Sequence, residues 1–180
     1  MSVIVAEFLT LDGVAEDPDG SGGTATGGWA FRHGPEAVAG DKFRLGTLLD
    51  TGVLLLGRTT WELFAKLWPG RSGEFPDRLN AAAKLVASRT LQDVSAWQNS
   101  VLLRGDLVDA VEREERDVVV IGSVGIAQTL ARHGLVDEYR VLVFPSVAGT
   151  GRRLFDTPAD LDLVSTTPVG SAILSTYRTR

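Results

Sequence analysis

The sequence predicts a three-layer α/β/α protein with a mainly parallel sheet of about eight strands and a C-terminal antiparallel hairpin. Three observations lead to this fold class. Short apolar runs alternate with segments of helical spacing, which is typical of a parallel sheet whose crossovers are helices. The run at residues 118–121 is entirely β-branched, as in a central strand covered on both faces. The chain closes with two strand-like segments joined around Pro168, Val169 and Gly170.

Each strand is predicted from a short apolar run bounded by turn residues. The first run, VIVAEFL, ends at the turn signal formed by Asp12 and Gly13. Residues 16–34 are too rich in glycine to form a regular element, and long loops of this kind are often functional. The predicted strands are residues 3–9, 53–56, 84–88, 100–103, 118–121, 139–144, 161–166 and 172–177.

Four helices are predicted from apolar spacing and from their end signals. The first covers residues 35–50 and places Val38, Leu45, Leu48 and Leu49 on one side. Asp106 is the expected N-cap of the third, and the sequence His133-Gly134 ends the fourth. The other three predicted helices are residues 59–66, 106–115 and 126–132.

Size and composition limit the function. At 180 residues and 19.3 kDa, we expect one domain over residues 1–180, with no internal repeat or linker. The net charge of −5 argues against a nucleic-acid or anionic-membrane partner. The chain has no cysteine and only two histidines, so we expect no metal site. The N-terminus resembles no signal peptide and no apolar run approaches membrane-spanning length, which favours a cytoplasmic location.

Three turns follow predicted strands, at the sheet edge where open parallel sheets bind ligands. In the first, Gly57 allows close backbone approach, Arg58 adds positive charge, and Thr59 and Thr60 are expected to cap the following helix, whose N–H groups favour an anion. The alternative is a capped helix with an arginine in solvent.

The second and third turns have the same double interpretation. Small residues, Gly122, Ser123, Val124 and Gly125, follow the central strand and suit a pyrophosphate, although tight helix packing accounts for them equally well. In the third turn, Ser88 and Arg89 suit a phosphate monoester, because arginine offers a rigid fork of donors. An adenosine 2′-phosphate there would make the cofactor NADPH, whereas the alternative is a polar strand end.

Two acids and one aromatic residue are candidates for the reaction site. Asp41 falls on the apolar stripe of the predicted helix, where a carboxylate is costly unless it is paired or used. Asp12 belongs to an Asp-Gly turn, which is common for conformational reasons alone. Trp29 either covers the site or anchors its loop to the core.

Taken in order, these motifs resemble the dihydrofolate-reductase-like superfamily, which includes the reductase domain of bacterial riboflavin biosynthesis. Single-domain bacterial members of that superfamily are the most similar. The resemblance covers nearly the whole chain, and its ordered set of segments is far more specific than any one of them. The segments are EFLTLDGV, GGWAF, LLLGRTTWELFAKLWP, VASRTL, LLRGDLVDAV, VVVIGSVGIAQTLARHGLVDEYRVLVFPSVAGTGRRLF and the closing strand pair.

The resemblance implies an NADPH-binding reductase that forms a homodimer. Asp41 stands sixteen residues before Gly57, the interval at which folate reductases place the helix acid that contacts the pterin. Leu9, Thr10 and Leu11 would border the nicotinamide and substrate, and Trp29 would lie nearby. The resemblance assigns Gly57, Arg58, Thr59, Thr60, Ser88, Arg89, Gly122, Ser123, Val124 and Gly125 to the cofactor.

We therefore expect an NADPH-dependent oxidoreductase that transfers hydride to a C=N or C=O bond of a small heterocyclic substrate, pterin- or pyrimidine-like. Asp41 or Asp12 is the predicted proton route. Two departures leave the substrate open: GGWAFRHGPEAVAG replaces the tighter loop of folate reductases, and Gly122-Ser123 replaces their glycine pair. The alternative hypothesis is a non-catalytic nucleotide- or flavin-binding protein on the same fold.

Overall fold

A computed structural model describes residues 1–180 and contains one mixed sheet of eight strands. Six neighbouring strands are parallel, and the last two of the chain pair antiparallel at one edge. The strands are β1 (Val3–Thr10), β2 (Val53–Gly57), β3 (Ala83–Ala87), β4 (Ser100–Leu102), β5 (Val118–Ile121), β6 (Glu138–Phe144), β7 (Leu161–Val169) and β8 (Ala172–Thr179).

The order across the sheet is β4-β3-β2-β5-β1-β6-β8-β7, so β1 and β5 lie at its centre. All eight predicted strands are present, and the predicted terminal hairpin is confirmed as β7 paired with β8. The sequence VVVI of β5 is buried at every residue, as expected for a strand covered on both faces.

Helices and connecting segments cover both faces of the sheet. One face packs against the β1–β2 connection and the helices α1 (Leu48–Thr51), α2 (Arg58–Leu67) and α3 (Glu74–Ala81). The other face packs against α4 (Leu107–Glu112) and α5 (Val124–Arg132). The predicted three-layer α/β/α fold is therefore confirmed. None of these helices combines the length and the apolar character that a membrane crossing requires.

The predicted helix at residues 35–50 is wrong. This stretch consists of turns, and only its last residues enter α1. Gly40, Arg44 and Gly46 have φ of 62°, 54° and 49°, which a right-handed helix excludes. The apolar spacing arises because Phe43 and Leu45 of an irregular segment are buried against the sheet.

The remaining helix predictions differ mainly at their ends. Helix α3 was not predicted, because the two prolines of WPGRSGEFP indicate a loop. Pro76 lies in the first turn of α3, where proline is tolerated. Asp106 is confirmed as the N-cap of α4, since its carboxylate accepts hydrogen bonds from the amides of Val108 and Asp109 at 2.8 and 3.2 Å.

Candidate functional site

The three turns predicted to bind phosphate lie side by side at the carboxyl edge of the sheet. They follow β3, β2 and β5, which are neighbouring parallel strands. Next to β5 lies β1, and the segments that leave these two central strands cover opposite faces of the sheet. The gap between the carboxyl ends of β1 and β5 is therefore the topological switch point, where open α/β sheets bind ligands.

A single hydroxyl joins the first two turns. Ser123 Oγ accepts a hydrogen bond from the Gly57 amide at 2.6 Å and donates one to Thr60 Oγ1 at 3.1 Å. The backbone of Ser123 has a left-handed conformation, with φ of 62° and ψ of 57°, and so does that of the preceding Gly122, with φ of 65°. The two turns therefore form one connected structure rather than two separate loops.

Two glycines are required by this close approach. A Cβ atom on Gly57 would lie 2.9 Å from Ser123 Oγ, and one on Gly122 would lie 3.2 Å from Thr60 Cγ2. Gly122 also has the positive φ that side chains disfavour. The missing side chains at both positions therefore let the two turns pack directly against each other.

Both helices that start at this edge have uncapped N-termini. No side chain caps α2, whose N-cap is Gly57, or α5, whose N-cap is Ser123. The prediction that Thr59 and Thr60 cap α2 is wrong, because the helix already begins at Arg58. Free N–H groups and the positive ends of two helix dipoles therefore favour an anion along this edge.

Three arginines lie along this edge: Arg58, Arg89 and Arg152, whose guanidinium binds Gln128 and lies 3.2 Å from the position of a Cβ on Gly125. Arg58 is exposed and forms an i,i+4 ion pair with Glu62 at 3.1 Å, so its guanidinium is partly engaged. Arg89, after β3, is exposed and makes no ion pair or hydrogen bond. Ser88 Oγ accepts from the amides of Thr90 and Leu91 and so shapes the turn. Arg89 is thus the free cation at the end of the row.

Asp12 fastens two loops together. Its carboxylate accepts hydrogen bonds from Thr10 Oγ1 at 2.6 Å and from the amides of Ala148 and Gly149 at 3.0 and 2.8 Å. These bonds, led by that of Thr10, lower the pKa of Asp12 from 3.8 to about 2. Asp12 is therefore a carboxylate at neutral pH and holds residues 146–149 against the end of β1.

Asp41 lies in the irregular segment for which the sequence predicts a helix. Its two carboxylate oxygens accept hydrogen bonds from the amides of Leu45 and Gly46, each at 2.7 Å. The side chain thus caps a turn, which accounts for an acid near the core without requiring catalysis.

The residues predicted to border the substrate are mostly inside the protein. Leu9 and Thr10 are buried, whereas Leu11 is 66% exposed. Trp29 is 2% exposed, donates from Nε1 to the carbonyl of Glu16 at 3.0 Å, and packs edge-on against Phe144. This placement matches the alternative in which Trp29 anchors its loop to the core.

Glu7, a buried acid on the central strand β1, was not among the predicted site residues. The residue is 5% exposed, and its Oε2 atom has no hydrogen-bond partner. Its Oε1 atom accepts from the amide of Phe8 at 3.1 Å. Burial raises the pKa of Glu7 from 4.5 to about 8, so the carboxyl is mostly neutral at pH 7. The available signal was an acid within an otherwise apolar strand.

A cluster of rings around Lys42 was also not predicted. The ammonium lies 5.3 Å from the ring centre of Phe8, 5.8 Å from that of Phe43 and 5.6 Å from that of Phe75. Desolvation lowers the pKa of Lys42 to about 8, with Asp41 acting in the opposite direction. Because Phe8 follows Glu7 on β1, this cation and its rings lie on the opposite face of β1 from the Glu7 side chain.

The same cluster contains an unused hydrogen-bond donor. Trp68 packs edge-on against Phe75, with ring centres 5.6 Å apart, and its buried Nε1 has no partner. The guanidinium of Arg71 lies 5.1 Å from the Trp68 ring. The cluster therefore combines flat apolar surfaces, two cations and one free donor, groups that can bind a polar aromatic ring.

Two clefts elsewhere contain none of the predicted site residues. One of about 160 Å³ lies beside Ala131, Tyr139 and Phe155, and another of about 250 Å³ lies beside Arg44 and Arg140. Both border the amino end of β6 rather than its carboxyl end. The carboxyl edge at β2, β5 and β1 is the stronger candidate for the site, because the uncapped helices and the glycine turns meet at the ends of β2 and β5, next to the switch point.

The strand order and the helix-covered sheet define an α/β domain with a dihydrofolate-reductase-like fold. The chain belongs to the family of RibD C-terminal domains, which it matches over residues 1–175. A protein of Bacillus subtilis strain 168, the uncharacterized protein YyaP, is 28% identical over 116 residues. That match covers 59% of this chain and 60% of YyaP.

Solved structures show the same fold. A putative riboflavin biosynthesis protein from Shewanella sp. PV-4 superposes with a TM-score of 0.76 at 20% identity, over 100% of this chain and 99% of that chain. The diaminohydroxyphosphoribosylaminopyrimidine deaminase/5-amino-6-(5-phosphoribosylamino)uracil reductase from Thermotoga maritima gives 0.61 at 17% identity, over 99% of this chain and 56% of that chain. Dihydrofolate reductase from Enterococcus faecalis, complexed with NADP(H) and RAB-propyl, gives 0.59 at 13% identity, over 99% of this chain and 96% of that chain.

Proposed function

We propose that this protein is an NADPH-dependent reductase that delivers hydride to a C=N or C=O bond of a small heterocyclic substrate, pyrimidine- or pterin-like. The observation that carries the proposal is the row of turns at the ends of β3, β2 and β5, joined through Ser123 Oγ and flanked by two uncapped helices. Membership of the RibD C-terminal domain family and the similarity to the reductase from Thermotoga maritima support the same reaction class.

The residues of this edge fit a dinucleotide phosphate. Gly57 and Gly122 let the two turns pack closely, and the amides of Arg58, Thr59, Val124 and Gly125 begin the uncapped helices. Thr60 and Ser123 fix the two turns relative to each other. Arg89, next to Ser88, offers its free guanidinium to a 2′-phosphate. When bound, NADPH supplies the hydride, and the protein holds donor and acceptor together and excludes water.

The substrate side of the proposed site is the ring cluster around Lys42. Phe8 at the end of β1 and Phe75 of α3 provide flat surfaces, and Trp68 Nε1 provides a free donor. Leu9 and Thr10 complete β1 beyond this point, and Leu11 leads into the loop fixed by Asp12. A planar heterocycle with acceptor atoms matches this lining better than an aliphatic substrate does.

Asp41 remains the proposed route for the proton that accompanies the hydride, because it directly precedes Lys42 in the cluster. Asp12 is instead assigned the positioning of the loop, since it is ionised down to about pH 2. Unchanged turnover in Asp41→Asn would remove the first assignment. The homodimer stays a prediction.

A non-catalytic nucleotide- or flavin-binding protein is the second candidate. It is favoured by the observation that the carboxylates of both Asp41 and Asp12 accept hydrogen bonds from backbone amides. It predicts tight cofactor binding without oxidation of the cofactor by any heterocycle, or a yellow chromophore bound to the purified protein.

Calorimetric titration with NADPH and then NADH tests the cofactor. We expect the wild type to prefer NADPH and Arg89→Ala to weaken NADPH roughly tenfold while leaving NADH unchanged, since a charge-assisted hydrogen bond is lost. Arg113→Ala is the matched control, because Arg113 ends α4 at the opposite edge of the sheet and pairs only with Asp109 on the surface. If neither NADPH nor NADH binds to the wild type, the proposed reductase function is refuted.

A further inference from the structure

The buried carboxyl of Glu7 lies where the two central strands separate. Strand β5 pairs with β1 only as far as Ala6, whose partner is Ile121. The chain then turns away at Gly122, whose amide still reaches the Ala6 carbonyl at 3.4 Å. From Glu7 onward, β1 pairs only with β6. The edge of β1 that faced β5 is therefore free at the switch point.

Glu7 occupies this free edge. In a parallel strand, the amides of alternate residues point to the same side, so the Phe8 amide points toward the missing β5, as Ala6 does. That amide is taken by Glu7 Oε1 at 3.1 Å. The carboxyl therefore lies in the gap between β1 and the end of β5, and its second oxygen, Oε2, is buried without a partner.

No charged neighbour accounts for a carboxyl in this position. The side chain shares its face of the sheet with the apolar Val5, Leu9 and Val141 and with α5, whose buried polar residue Gln128 is bonded to Arg152 and to the Arg153 carbonyl. The charged side chains of neighbouring elements have other partners. Glu138 and Arg140 of β6 pair with each other on the opposite face of the sheet. Arg152 binds Gln128, Arg153 binds the Asp12 carbonyl, and Arg132 at the far end of α5 binds Asp156.

An unpaired polar group in a core is costly, and a leucine or glutamine of similar size would fill the space. A carboxyl kept neutral by its surroundings carries one donor and one acceptor side by side. A primary carboxamide presents the complementary pair, so the two groups can form two parallel hydrogen bonds. Such a ligand would satisfy Oε2 while Oε1 continues to accept from the Phe8 amide.

We propose that Glu7, in its neutral form, is the residue that recognises the carboxamide of the dihydronicotinamide ring, donating from Oε2 to the amide oxygen and accepting an amide N–H at Oε1. This inference rests on the proposed function and adds the group that recognises the reacting end of the cofactor. Ionised Glu7 has no donor, so carboxamide recognition is lost as the residue titrates. The burial that raises the pKa of Glu7 to about 8 places that loss between pH 7 and 9.

Binding of three probes tests the assignment without knowledge of the substrate. They are NADPH, its reduced 3-acetylpyridine analogue, in which a methyl group replaces the amide nitrogen, and adenosine 2′,5′-bisphosphate, which lacks the ring. We expect the wild type at pH 7 to prefer NADPH over the analogue roughly tenfold, and Glu7→Ala to lose that preference. Glu7→Gln keeps a donor and an acceptor and should keep the preference.

The pH dependence separates recognition from packing. Wild-type affinity for NADPH should fall about tenfold between pH 7 and 9, whereas Glu7→Gln should show a flat profile, and the bisphosphate should bind all three proteins equally. The inference is overturned if Glu7→Ala keeps the preference, or if the wild type and Glu7→Gln have the same pH profile. The comparison of the pH profiles of Glu7→Gln and the wild type is sufficient by itself, so the test stays valid even if Glu7→Ala is unstable. If the bisphosphate binds but substitution of Glu7 changes neither the preference for NADPH over the analogue nor the pH profile of NADPH binding, this inference alone is refuted. If none of the three probes binds, the proposed function is refuted as well.

Discussion

Replacing Glu7 by glutamine should change the pH dependence of folding, whatever the ligand is. In the unfolded chain the carboxyl ionises above its ordinary pKa of 4.5, whereas in the folded protein it stays neutral until about pH 8. Ionisation therefore favours the unfolded state throughout this window. The stability associated with Glu7 is complete below pH 4.5 and is lost as the pH rises toward 8.

The magnitude follows from the width of the window. Each pH unit between the two pKa values changes the free energy of unfolding by about 1.4 kcal/mol. Over the 2.5 pH units from 4.5 to 7, the wild type should lose about 3 kcal/mol that Glu7→Gln keeps. The residue is 5% exposed, so screening by solvent reduces this figure little.

Denaturant unfolding followed by tryptophan fluorescence, at intervals from pH 4.5 to 8.5, measures the effect. Other titrating groups act equally on both proteins, so the difference between their unfolding free energies isolates Glu7. Glu115→Gln is the control, since Glu115 is exposed and makes no side-chain hydrogen bond or ion pair, and its difference from the wild type should not vary over this range. A Glu7→Gln difference that stays constant with pH would refute a neutral buried carboxyl.

Two further substitutions test the carboxyl edge. Gly57→Ala places a Cβ 2.9 Å from Ser123 Oγ, so we expect the free energy of unfolding to fall by about 1–3 kcal/mol and NADPH to bind more weakly. Gly70→Ala is the control and should have neither effect, because the space around its Cβ is open. Asp12→Asn removes a carboxylate whose pKa is about 2 and which accepts the Gly149 amide. The hydrogen of that amide should therefore exchange faster in the variant than in the wild type at all pH values above 4. The exchange rate of the wild type should approach that of the variant only as the pH falls from 3.8 through 2, where the carboxylate becomes protonated.

Each of these two tests has a distinct contrary outcome. Normal stability and normal NADPH affinity in Gly57→Ala would mean that the two turns can separate without consequence. Unchanged exchange at Gly149 in Asp12→Asn, together with lost turnover, would return Asp12 to a catalytic role. Asp160→Asn serves as the control, because Asp160 is exposed and has no hydrogen-bond partner.

The strands were predictable because burial on both faces leaves a direct mark in the sequence. Uninterrupted apolar runs such as that of β5 arise in few structures besides a buried strand, and their alternation with helices fixes a parallel sheet. Residues 35–50 were mispredicted because apolar spacing reports burial and not backbone conformation. Residues such as Phe43 and Leu45 face the core from turns just as they would from a helix.

The candidate site at the carboxyl edge was only partly predictable, for a different reason. Sequence motifs identified the three turns, but not that one hydroxyl of Ser123 serves two of them, because its partners Gly57 and Thr60 lie more than sixty positions away in the chain. The ring cluster at Lys42 likewise joins residues from the end of β1, an irregular segment and α3. Glu7 did leave a signal, since a lone acid in a central strand requires either a partner or a use.

The Ser123 link also has a consequence for how free energy is distributed when a ligand binds. Because one hydroxyl holds the turn after β2 and the turn after β5 together, the cost of ordering both is met during folding. A ligand that touches only one turn finds the other already in place. In the wild type, two fragments of a ligand, one for each turn, should therefore bind independently of each other. In Ser123→Ala the turns can move separately, so binding of the first fragment should order the site and increase the affinity for the second.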